Sequence, residues 1–145
     1  MKFVTQTVLI LLAVLLIAAD TQGEKSKSDK EKLQGTWKIV SADFDGKPLK
    51  EAIGGTMTFT GDRIEQGKKG DKEYYEGKYE LDPSKNPKHI DLTHAKEKIT
   101  AIYSLDGDEL RISSFRAPDG GKKRPSVFAS KAGEMQMVLV FKRVK

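Results

Sequence analysis

The 145-residue chain contains no cysteine. That excludes disulfides, a thiolate-ligated metal and a cysteine nucleophile, and it excludes the lipid-modified cysteine of a bacterial lipoprotein. Histidine is nearly absent too, with only His89 and His94. The first hydrophobic run, Val8 to Ala19, has no successor of its kind further along. The charge is not one-sided either: 26 basic against 21 acidic residues leave +5, a mixed surface with weak attraction to anionic polymers. No nucleic-acid recognition motif accompanies it.

What is there begins with an export signal. Lys2 precedes the apolar run, which at about a dozen residues is too short to span a bilayer comfortably. Thr21-Gln22-Gly23 places small residues for cleavage after Gly23, with cleavage after Ala19 as the alternative. Residues 1–23 are therefore expected to be a signal peptide, 24–32 a charged linker (flexible or a short helical lead-in), and 33–145 the folded domain. The mature protein is expected to be exported, periplasmic or secreted, with no transmembrane segment. Export without disulfides fits a bacterial product. A mature chain of roughly 120 residues buries above 60% of its unfolded surface, enough for a core without staples.

Beyond the linker the pattern is antiparallel β. The five prolines fall between apolar runs, never within one. Strands are expected at Thr36–Phe44, Thr56–Thr60, Arg63–Gln66, Tyr74–Leu81, His89–Thr93, Ile99–Leu105, Leu110–Phe115 and Met135–Phe141, with a further short one at Ser126–Ala129. Asp45-Gly46, Gly61-Asp62 and Asp106-Gly107-Asp108 read as turns. One helical turn fits between Pro48 and Gly55. Gly77 inside its strand suggests a bend or bulge. The last strand is almost continuously apolar, as a barrel-closing strand would be. The fold class expected is all-β: an antiparallel barrel of about eight strands, since closure removes exposed edges.

Gly35-Thr36-Trp37 at the first strand resembles the opening of the lipocalin-like, or calycin, superfamily. More narrowly, the chain resembles a small lipocalin-like domain of unknown function found in planctomycete bacteria. The residues that carry this run over nearly the whole mature chain. They are Leu33–Trp37, Asp45-Gly46-Lys47-Pro48, Gly77–Lys88, Ile90–Thr93, Tyr103–Leu110, Arg124–Phe128 and Val138–Arg143. The resemblance implies a barrel whose base is closed by Trp37 beneath Arg143, with Lys142 as the alternative partner, in a cation–π contact. It implies no catalytic residues.

The residues themselves offer little chemistry. His89 and His94 are five apart and alternation does not put them on one face, so a zinc site is not expected, and nothing beyond the fold suggests His89 or His94 as a haem axial ligand. Asp106, Asp108 and Glu109 read as a turn and not as a calcium site. No Gly-x-Ser-x-Gly elbow is present. The expectation is a protein that is no enzyme and has no metal or cofactor. Met57, Phe59, Tyr75, Tyr79 and Tyr103 fall on inward faces. They would line a pocket for a small hydrophobic or amphipathic ligand, with a tyrosine hydroxyl orienting it. Lys68, Lys69, Lys72 and Lys122-Lys123-Arg124 would rim its mouth. The alternative is a packed core and an envelope protein or polymer met at the surface.

Overall fold

The computed structural model describes residues 27–116 and 122–145. The expected signal peptide and residues 117–121 lie outside the described residues. A short helix, α1 (Asp29–Leu33), leads into β1 (Gly35–Phe44), β2 (Lys47–Pro48), a 3-10 turn at Lys50–Ala52, β3 (Thr56–Thr60) and β4 (Arg63–Gln66). Then follow β5 (Tyr75–Asp82), β6 (Lys88–His94), β7 (Glu97–Asp106), β8 (Glu109–Phe115) and β9 (Gln136–Arg143). Each wall strand pairs antiparallel with the next, and β9 returns to pair with β1, from Trp37 opposite Arg143 to Phe44 opposite Met137. Eight strands thus form a closed barrel, with the two-residue β2 added at the end of β1. Among the described residues no helix is long and apolar enough to cross a membrane.

Alternation explains the wall. Trp37 and Ile39, Met57 and Phe59, Tyr79, Ile90 and Leu92, Ala101 and Tyr103, Leu110 and Ile112, and Met137, Leu139 and Phe141 join one core cluster. Their neighbours at odd spacing face out. One irregularity breaks the register, between Ile39 and Ser41 of β1. It returns Ala42 and Phe44 to the inner face. At Gly77, where a bend or bulge was expected, the register with β4 is unbroken, and the ladder with β6 stops one residue away, at Lys78. Gly77 is required for a different reason. A Cβ at that position would collide with the carbonyl oxygen of Thr93.

The strand expected at Ser126–Ala129 is absent. Residues 122–130 instead form a strap across the outside of β6, β7 and β8. Arg124 donates to the Asp91 carboxylate (2.7 Å) and to the Ala101 carbonyl (2.6 Å). Gln136 donates to Val127 (2.7 Å) and to the Ser113 hydroxyl (2.9 Å), which itself donates to Met137 (2.8 Å). This strap explains two features at odds with simple alternation: Ile102 and Ser113 point outward yet are buried.

Candidate functional site

The barrel has a base, where β1 and β6 start and β9 ends, and a mouth at the other end. The base is built around α1. Ser28 and Glu31 form a reciprocal capping box that starts the helix. Five residues cannot hold a helix alone; the barrel holds it. The indole of Trp37 donates to the Leu33 carbonyl (2.9 Å). Arg143 donates to the carbonyls of Gln34 (2.8 Å) and Lys32. Its guanidinium also lies 4.2 Å from the Trp37 ring centre and 3.3 Å from the Asp108 carboxylate. Gly35 makes the turn from helix to strand at φ +112°, a conformation that disfavours a side chain, with the guanidinium directly beside it.

Arg143 therefore lies against both Trp37 and Gly35. Lys142, the other candidate partner, points outward and pairs with Glu109 (2.9 Å).

The same helix claims two of the tyrosines. Tyr103 donates to Asp29 (2.7 Å), which Lys88 also reaches (2.7 Å). Tyr79 donates to the Gly61 carbonyl (2.6 Å) and accepts from Gln34 (2.9 Å). Phe59 packs edge-on against Tyr79, ring centres 5.0 Å apart. Burial would raise the Asp29 carboxyl, but the hydrogen bonds from Lys88 and Tyr103 and the charges of Lys88 and Lys32 outweigh it and hold it low. Burial, then the Asp29 carboxylate, pushes the Tyr103 phenol well up, so it remains a donor.

Of the five residues expected to line a pocket, Phe59, Tyr79 and Tyr103 thus fill the base, and both of those hydroxyls are already engaged. Met57 is buried opposite Trp37, and Tyr75 lies opposite Gln66 at the mouth end of β5. Asp29, Leu33 and Gln34 were not legible as base residues, because they fall in or beside the stretch read as linker. The capping-box spacing Ser28-x-x-Glu31 was the one signal of a helix there.

Toward the mouth the packing loosens. Trp37, Phe59, Tyr103 and Phe141 are at most 1% exposed, whereas Met137 reaches 7% and Leu92 and Leu139 reach 9%. A cavity of about 550 Å3 opens here, floored by Ile39, Leu49, Ala52, Met137 and Leu139. Its rim carries Glu51, Asp71, Lys72, Glu73 and Arg116. Lys72 is the one member of the expected basic rim that lines it. Lys123 lies over the Phe115 ring (5.2 Å) and Arg124 is held by Asp91 in the strap.

His89 is half-buried and His94 is exposed. The exposed His94 ring also stacks on Tyr75. Among the described residues no cluster of three or more His, Asp or Glu side chains is placed to hold a metal ion.

No known protein family, curated protein or solved structure matches this chain.

Proposed function

We propose that this chain is an exported, non-enzymatic domain of lipocalin-like type, of the kind found in planctomycetes, that carries a small apolar or amphipathic molecule. The ligand would sit in the upper half of the barrel only. The observation that carries this reading is the division of the interior. The base is filled and hydrogen-bonded, while the mouth presents an apolar floor beneath a charged rim, in a cavity of about 550 Å3. That volume lies within the range of small-molecule sites. An apolar part would rest on Ile39, Leu49, Met137 and Leu139, and a polar end would remain at the rim.

Native mass spectrometry of the protein, purified without detergent, tests this. An additional mass of a few hundred daltons, lost on unfolding, is expected. A clean protein mass, with no uptake of a medium-chain fatty acid or an anionic naphthalene dye, would sink the carrier reading. It would favour the second one: an envelope interaction module acting through its surface. The filled lower half of the barrel is what speaks for that alternative.

A further inference from the structure

The ladder between β5 and β6 ends before either strand does. Its last pair toward the mouth is Lys78 with Thr93. Yet β5 continues to Tyr75 alongside β4, and β6 continues to His94 alongside β7. Above that pair the two strands are joined by side chains and not by backbone.

His94 spans the slit. Its Nδ1 lies 2.6 Å from the carbonyl oxygen of Glu76. A carbonyl only accepts, so Nδ1 carries the proton. The imidazole also stacks on the Tyr75 ring, centres 4.6 Å apart and planes tilted by 37°. The Tyr75 hydroxyl turns back over Gly77, where a Cβ would lie 3.2 Å from it. There it is sealed from solvent and meets no hydrogen-bonding partner among the described residues. Buried polar groups are rarely left in that state, and each such group calls for an explanation.

Two spaces lie near this part of the wall, and they share no lining residue. Outside it is a cleft of about 470 Å3 lined by Arg63, Glu76, Lys78, Thr93 and His94. Inside, Gln66 faces Tyr75 across the β4–β5 ladder and lines the mouth cavity.

We propose that Tyr75 and His94 form a gate in the barrel wall, and that the ligand of the upper barrel passes through the slit between β5 and β6. This rests on the carrier reading above. The closed gate has one hydrogen bond and one ring contact in place of a backbone ladder. Closure also strands the phenol hydroxyl without a partner, and opening would give it water. The closed state is therefore weakly held on both counts. Burial, aided by the Glu97 charge, keeps the phenol protonated. It can then donate to the hydroxyl or carboxylate of an amphipathic ligand in transit.

Amide hydrogen exchange on the wild type, His94→Ala and Tyr75→Phe tests the gate, because the two substitutions push in opposite directions. His94→Ala removes the latch and should speed exchange of amides 75–78 and 93–96 by about tenfold. Tyr75→Phe removes the stranded hydroxyl and should slow the same amides by about tenfold, the size expected for relief of one unsatisfied group. The slowest amides of β1 and β9 should not change in either variant. Equal exchange in all three proteins, or acceleration spread over the whole barrel, would overturn the gate.

Stopped-flow binding of 1-anilinonaphthalene-8-sulfonate tests the route. His94→Ala should raise association and dissociation rates together and leave Kd within about twofold. Unchanged rates would overturn passage through the slit. A wild type that takes up neither this dye nor a fatty acid would remove the carrier reading and the route with it. The exchange experiment would still report whether the gate opens.

Discussion

Arg143 and Trp37 together satisfy three successive carbonyls, those of Lys32, Leu33 and Gln34. These are the groups a helix leaves orphaned at its C-terminal end. Trp37→Ala removes one donor, the ring under the guanidinium and a fully buried side chain. The expected cost is about 3–5 kcal/mol in denaturant unfolding. A loss below about 1 kcal/mol would show that the indole does not hold the base. The pairing of Trp37 with Arg143 is legible in the sequence, as what the resemblance implies by position. The carbonyls are not, since a backbone acceptor leaves no trace in a pattern of side chains. The choice of Arg143 over Lys142 follows from alternation along β9, which turns one inward and the other out to Glu109.

At the scale of elements, most strands were legible, whereas the helix was read only as one of two alternatives for the linker. β3, β4, β7 and β8 announce themselves by alternation and by Gly-Asp or Asp-Gly turns. α1 has one buried apolar residue, Leu33, and so no periodicity to read. Its only mark is the capping box. Ser28→Ala should cost about 1 kcal/mol, read as a lower denaturant midpoint at unchanged slope. No shift in the midpoint would mean that the base holds α1 without its cap.

The strap at 122–130 was misread as a strand at Ser126–Ala129. Its residues are bound through Arg124 and Gln136 side chains, which have no period. Alternation also gives the face of a residue but not its height in a barrel. That is why Phe59, Tyr79 and Tyr103 fell into one candidate set with Met57 and Tyr75.

At the scale of the whole molecule, two carboxylates hold distant parts together: Asp29 the helix to the base, Asp91 the strap to the wall. Burial would raise the Asp91 carboxyl, but Arg124 and Lys98 outweigh it and hold it below the ordinary value, as Lys88 and Tyr103 do for Asp29. A folded-state pKa below the unfolded one stabilises above the unfolded value, about 3.9 for Asp. That contribution disappears as pH falls through the depressed values. Stability should therefore be level above about pH 5 and drop steeply below about pH 4. The double substitution Asp29→Asn and Asp91→Asn should flatten that drop while lowering the plateau. Urea midpoints measured across this range decide it: an equally steep drop in the double variant would assign acid sensitivity to other groups.

Every ladder in the wall joins strands that are neighbours in sequence, except the seam between β1 and β9, where Trp37 faces Arg143. Contacts of such separation are the slowest to form. The chain has a single tryptophan, and it lies at that seam. Its emission is therefore a built-in optical reporter. Without a label it reads the assembly of β1 with β9, with β3 and with α1, and it will stay silent while the hairpins from β4 to β8 form around an open ring.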